Sequence, residues 1–320
     1  MAQKSVLIAG ATGTIGRAVV TAALARGYRV TAIVRPHHRA PFDVHENLHI
    51  TRATFSPTAG WSTTFARADV VISCLASRTG TAQDAHMVDY AMNAALLDHI
   101  TPTPDTQFIL LSAICVQKPK LAFQFEKLRF EALLQGSGLP YSIVRPTAYF
   151  KSLSGQIDRI KKGKAFLYFG DGTSTSCMPI SERDLANFMI ECIDDQSRLN
   201  RILPIGGPHP ALTPRDQAEM LFDIFGQPPK VASVSPRLFD LLRLCLAPFA
   251  PLSQWVRNKR ELLAIGKYYA TESMLCWDAD QHCYDASATP STGTDSLRDH
   301  YLHIQTGQIE NIRDKASRIY

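Results

Sequence analysis

The 320-residue sequence has no C-x-x-C pair among its seven cysteines (Cys74, Cys115, Cys177, Cys192, Cys245, Cys276 and Cys283), and their number is odd. This excludes a secreted disulfide framework, a zinc ribbon and an iron–sulfur cluster, and indicates reduced thiols in a cytosol. Cys276, His282 and Cys283 have metal-ligand side chains without metal-site spacing, so no metal site is expected. No apolar run reaches the ~18 to 20 residues that span a bilayer. The nearest, Leu238 to Leu252, is broken by Asp240, Arg243, Pro248 and Pro251. The opening MAQKSVLIAG enters a strand at once, leaving no room for a signal or transit peptide, so a cytoplasmic protein is expected. Blocks of like charge are also missing. Lys and Arg (34) exceed Asp and Glu (29) by 5, and the basic residues are scattered, which argues against a nucleic-acid partner.

What is present suits a globular enzyme: 45% hydrophobic and 20% charged residues, with no repeat or low-complexity segment. The first half alternates β-rich runs (Ser5–Ala9, Arg29–Val34, Leu48–Arg52, Val70–Leu75, Phe108–Ser112, Tyr141–Val144) with helical patterns (Ile15–Arg26, Ala85–His99, Leu121–Leu134). Six strands with crossover helices predict an α/β fold, a doubly wound parallel-sheet Rossmann domain over residues 1–206. Ala165–Phe169, Gly170-Asp171-Gly172 and Thr173–Met178 predict a hairpin inserted near 164–178. Residues 207–320, richer in proline, are expected to form a smaller C-terminal substrate-covering region.

The sharpest motif is Gly10-Ala11-Thr12-Gly13-Thr14-Ile15-Gly16, between the first strand and the first helix. Its spacing brings main-chain N–H groups of the turn and helix N-terminus against a dinucleotide pyrophosphate. The second strand ends in Val34-Arg35-Pro36 instead of the acidic residue that would hold an NAD ribose. Arg35 can pair with a 2′-phosphate, so NADPH is the expected cofactor.

In such sheets the ligand lies beyond the carboxyl ends of the strands. One cleft should therefore be lined by Leu75-Ala76-Ser77, by Ser112 and by Pro146-Thr147 with Tyr149. Phe123 and Lys127 share a helix face at the spacing of the Tyr-x-x-x-Lys pair of short-chain dehydrogenases, with phenylalanine in the tyrosine's place. A phenyl ring transfers no proton, which disfavours ordinary alcohol dehydrogenation. Lys127 is expected to position the nicotinamide ribose, with Tyr149 and Ser112 as candidate proton donors.

GATGTIG, SCLASR (Ser73–Arg78), LLSAICVQKP (Leu110–Pro119), FQFEKLRFEA (Phe123–Ala132) and YSIVRPTAYFKSLSGQI (Tyr141–Ile157) together resemble the NADPH-dependent divinyl chlorophyllide a 8-vinyl reductases. The likeness continues through FGDGTSTSCMPISERDLA, LPIGGPHPALTP and GKYYATESML, and covers nearly the whole chain. The resemblance implies an atypical short-chain dehydrogenase/reductase that reduces the 8-vinyl group of a magnesium porphyrinoid in chlorophyll or bacteriochlorophyll synthesis. It also implies a bacterial phototroph, since plant members carry a transit peptide. A reductase of another double bond or of a quinone, and a non-catalytic NADP-sensing regulator, are the competing readings.

A chlorophyllide is a flat apolar disc with one propionate. Phe150, Phe166, Tyr168, Phe169, Tyr268 and Tyr269 are candidate walls, and Lys118, Lys151, Lys267 and Arg145 candidate anchors. Leu238 to Leu252, with Arg257, Lys259 and Arg260 beyond it, reads as a core helix with an exposed basic end. A substrate lid or a weak peripheral contact with the photosynthetic membrane are the other readings. Oligomeric state is left open.

Overall fold

The computed structural model describes residues 3–65, 67–99 and 106–311. Its centre is a seven-stranded sheet: β1 (Ser5–Ala9), β2 (Arg29–Val34), β3 (Leu48–Arg52), β4 (Val70–Ser73), β5 (Gln107–Leu111), β6 (Tyr141–Pro146) and β7 (Arg201–Ile205), in the order β7-β6-β5-β4-β1-β2-β3. Every pairing is parallel, with Ile8 opposite both Ala32 and Ile72, and Leu111 opposite Val144. The chain reverses direction across the sheet between β1 and β4, which opens a crevice at their carboxyl ends.

Side-chain alternation assigns each strand residue to a face. Val6 and Ile8 pack with Val19 and Val20 of α1 (Thr14–Ala25), and with Leu185 and Met189. Leu7 and Ala9 face the opposite layer, with Leu96, Phe130 and Leu134. The last two belong to α2 (Ala122–Gln135). Both faces are covered, which is why the inner strands read as unbroken apolar runs.

Six strands were expected and a seventh is present. β7 holds Pro204, a poor strand residue, and the sheet tolerates it because β7 lies at an edge. The expected hairpin does not form. Phe166–Phe169 pairs in parallel with Val231–Val234, while residues 173–176 make no ladder and Cys177 bridges singly to Leu212 and Met274. The tight turn exists, with Gly172 N–H donating to Phe169 O at 3.1 Å. Burial of Phe166 against the C-terminal helices selected the distant partner over the local one.

That burial builds a second core across position 206. Phe150, Ile157, Ile160 and Phe166 pack with Leu221 and Phe222 of α4 (Pro214–Phe225), and with Leu297, Tyr301 and Ile304. Between residues 178 and 206 the chain had returned to the sheet through α3 (Glu182–Glu191) and β7. An arm of two helices, α5 (Arg237–Leu246) and α6 (Gln254–Thr271), packs beside the carboxyl end of the sheet. Its seam with the Rossmann layer holds Ile114, Cys115, Leu121, Phe123, Tyr268 and Met274. α5 buries none of its residues, so the reading of this segment as a core helix is overturned. Leu241, Leu244, Phe249 and Leu252 face outward. Among the described residues no helix is long and apolar enough to cross a membrane.

Candidate active site

The glycine turn has the geometry a pyrophosphate needs. Gly10 has φ +73°, and a Cβ there would lie 2.6 Å from the Cys74 carbonyl, so the turn can press onto the end of β4 only without a side chain. A Cβ on Gly16 would lie 2.1 Å from Gly10 O, which is how closely α1 approaches its strand. Gly13 caps α1 without a side-chain acceptor, leaving the first N–H groups of the helix for an anion. Thr12 is half-buried beside them, and Ile15 anchors the helix in the core. Lys151, a candidate propionate anchor, instead reaches across from beyond β6 to donate to Thr14 Oγ1 at 3.0 Å.

At the adenine end Arg35 is exposed and makes no side-chain hydrogen bond or ion pair within the described residues. Its loop is braced from β3, since Arg52 Nη1 donates to Pro36 O at 2.9 Å and His38 O at 3.1 Å. A fixed loop presenting a free guanidinium suits a phosphate.

At the nicotinamide end Lys127 is largely buried. Its Nζ lies 3.0 Å from Asp89 Oδ1, with the lysine side chain 11% and the aspartate 0% exposed. The same Oδ1 accepts from the Ser77 N–H at 3.3 Å, tying the loop after β4 to this pair. Asp89 sits in a π-helical turn (His86–Ala91), held by Asn93 Nδ2 donating to Asp89 O at 3.1 Å. Asn93 in turn takes a hydrogen bond from Ser73 at the end of β4. Asp89 Oδ2 is buried with no partner. An unmatched carboxylate oxygen beside a buried ammonium leaves one acceptor and further donors for a ribose diol. Together with the glycine turn and Arg35, these residues fit a nicotinamide dinucleotide.

The two proton-donor candidates differ. Ser112 is buried and its hydroxyl donates at 2.5 Å to Glu131, which also holds Arg145 in an ion pair. Its proton is committed to that network. Tyr149 makes no side-chain hydrogen bond within the described residues, and burial pushes its phenol well above the usual tyrosine range, with Cys74 and Cys115 adding to the rise. It therefore stays protonated. Cys74 is likewise raised by burial, to about 12. Thr147 donates to Met178 O, and its N–H to Ile205 O at 3.0 Å, fixing the loop after β6. Leu75 is buried and Ala76 exposed at the cleft edge, while Pro146 is packed under it.

Six more candidate pigment contacts are engaged elsewhere. Phe150 and Phe166 are core residues at 2% and 1% exposure. Tyr268 donates to Cys115 O at 2.9 Å inside the seam. Lys118 pairs with Glu272 at 2.9 Å and lies over the Trp277 ring. Lys267 and Arg145 also have carboxylate partners, Asp240 and Glu131. Conversely, sequence reasoning missed Asp89, Glu131 and Arg52. Each acts through a partner far along the chain. The available signal was an acidic residue on the apolar face of a helix, as Asp89 is.

Comparison with known proteins agrees with this frame. A family model described as NAD(P)H-binding matches residues 10–196. A divinyl chlorophyllide a 8-vinyl-reductase from Oryza sativa subsp. indica is 42% identical, covering 94% of this chain and 78% of its own length. That of Arabidopsis thaliana is 41% identical over 94% of this chain and 76% of its own. A photosystem II assembly factor of Cyanophora paradoxa is more distant, 24% identical over 98% of the chain and 97% of its own length. Among solved structures, UDP-glucuronic acid 4-epimerase from Bacillus cereus in complex with NAD superposes with TM-score 0.63 at 15% identity, over 93% of this chain and 96% of that one. That likeness speaks for the fold. With a nucleotide frame intact from Gly10 to Lys127 and two-fifths of its residues shared along nearly its full length, the chain belongs to the divinyl chlorophyllide a 8-vinyl-reductase family.

Proposed function

We propose that this protein reduces the 8-vinyl group of divinyl chlorophyllide a, or of the protochlorophyllide, to ethyl with NADPH. The carrying observation is the pair Phe123 and Lys127: the lysine is largely buried against Asp89, while the position of the usual phenolic acid is an aprotic ring. Carbonyl chemistry needs an acid at that place, and reduction of a conjugated carbon–carbon double bond does not. When bound, reduced nicotinamide supplies a hydride to the terminal vinyl carbon, and a proton completes the inner carbon after charge spreads into the macrocycle. Lys127 and Asp89 hold the ribose. Tyr149, protonated and unengaged, gives the proton, and Ser112 is assigned to fixing Glu131 and Arg145. The seam of Phe123, Leu121 and Ile114 excludes water from the reacting carbons.

The test is direct: incubate the protein with NADPH and divinyl chlorophyllide a and follow the Soret band. A blue shift is expected, and no change defeats the reading. NADPH binding without turnover would favour the regulatory alternative. Arg35→Asp is expected to lower the preference for NADPH over NADH about tenfold or more; unchanged discrimination removes the 2′-phosphate assignment. The outward leucines of α5 beside Arg237 support a peripheral membrane contact, tested by retention on anionic liposomes at low salt.

A further inference from the structure

A cavity of about 590 Å³ opens between the α5–α6 arm and the first turn of α2. Its wall includes Gly80, Leu121 and Ile265, and a Cβ on Gly80 would lie 3.2 Å from the Phe123 ring, so the cavity abuts the phenylalanine of the Phe123–Lys127 pair. From Ala122 to Lys127 the helix rises about 7.5 Å, within the span of one tetrapyrrole.

The cavity is basic, and its charges are not equivalent. Lys120 is paired with Glu272. Arg257 spends its guanidinium on Ala250 O, Pro251 O and Gln254 Oε1, closing the turn between α5 and α6. Glu261 is the acidic group in the wall, and its Oε2 accepts the Ala82 N–H at 2.7 Å. Arg243 and Arg260 differ: neither has an ion-pair or hydrogen-bond partner among the described residues, and the Nε of each is buried and unsatisfied. A guanidinium partly desolvated at Nε without a counter-ion is costly, and two on one cavity are costlier still. A planar anion bridging both restores the balance with bidentate bonds.

We propose that Arg243 and Arg260 dock the carboxylate side chain of the pigment, with its ring against the apolar wall of Ala247, Ala264 and Ile265. The assignment rests on the chlorophyllide-reductase reading and names the anchor of that substrate. It replaces the four basic residues expected from the sequence, each of which has a partner of its own. A tetrapyrrole with its acid on these arginines extends its far side toward Phe123 and Lys127.

Pigment binding is measured by absorbance titration, and reduction by the Soret shift, with divinyl chlorophyllide a as free acid and as methyl ester. Wild type is expected to bind the ester about tenfold more weakly. Arg243→Gln and Arg260→Gln should each raise KM for the free acid about tenfold, with the effect on KM rather than kcat, and the double variant should no longer distinguish acid from ester. Arg243→Lys should recover part of the loss, because an ammonium bonds a carboxylate without the paired geometry. NADPH affinity and thermal midpoint are expected to hold, since no internal bond is removed. Variants that keep the preference for the free acid, that lose NADPH binding or fold, or that lose only anionic-liposome binding overturn the arginine assignment. A wild type that reduces neither pigment form overturns the functional reading instead.

Discussion

The cofactor half and the covering arm handle charge in opposite ways. Around the nicotinamide end, the buried ions are matched inside the protein: Lys127 with Asp89, and Arg145 with Glu131, which Ser112 also bonds. In the arm, Arg243 and Arg260 are left unmatched and the leucines of α5 face outward. The nucleotide site is preorganised and nearly complete without its ligand, whereas the arm is polar where it is closed and apolar where it is open. A built-in partner stabilises the fold, and a missing one stabilises a complex.

The sharpest way to break the cofactor half is Gly16→Ala. The new Cβ meets Gly10 O at 2.1 Å between two backbones, so overpacking of about 3 kcal/mol is expected. NADPH titration should show affinity reduced more than about a hundredfold; retained binding would show that the turn can shift. Next is Lys127→Ala, which strands the fully buried Asp89. Breaking such a pair costs about 3–5 kcal/mol in denaturant unfolding and should lower kcat/KM about a hundredfold. Adding Asp89→Asn should restore stability and leave activity low, separating positioning from folding. Full activity in the single variant would end the role of Lys127. Tyr149→Phe is expected to lower kcat by about a hundredfold with NADPH affinity intact. Its phenol is raised in the fold, so any alkaline loss of rate from Tyr149 should begin above the ordinary tyrosine range.

Two smaller effects sharpen the arm's side of the contrast. Burial works to raise Glu272, but Lys120, Tyr284 and Lys118 outweigh it and hold the carboxyl at about 2. A lowered folded value stabilises above the unfolded carboxylate range and is lost as pH falls from about 4.5 toward 2. Acid titration should therefore loosen the arm's attachment in that window, an order of ~3 kcal/mol, and Glu272→Gln should remove the dependence. Least of all, Leu244→Ser, at a residue of α5 that is 71% exposed, should change stability by less than about 0.5 kcal/mol. A larger loss in thermal unfolding would mean that α5 is packed after all.

The local chemistry was readable. Gly10, Gly13 and Gly16 follow a strand and open a helix, and six of the seven strands stand out as β-rich runs, with helices between β1 and β2, β4 and β5, and β5 and β6. β7 escaped because its pattern is short, polar at the start and broken by Pro204, features an edge strand tolerates. The hairpin misreading has a related cause: Gly170 and Gly172 mark a turn whichever strand Phe166–Phe169 then joins. Lys127 was legible from its spacing, but Asp89 was not, since nothing local pairs residues on two different helices.

By itself the sequence determined what short-range rules govern: the nucleotide turn, the sheet's strand runs, the absence of a tyrosine at 123, and the family strings. Only the tertiary structure decided which charges are satisfied. Whether Lys118, Lys267 or Arg145 can serve a ligand depends on a carboxylate brought in from elsewhere in the chain, and whether Arg243 and Arg260 can depends on none being brought. Residue type sets a charge, but burial and the neighbours supplied by folding set whether that charge has an unmet partner.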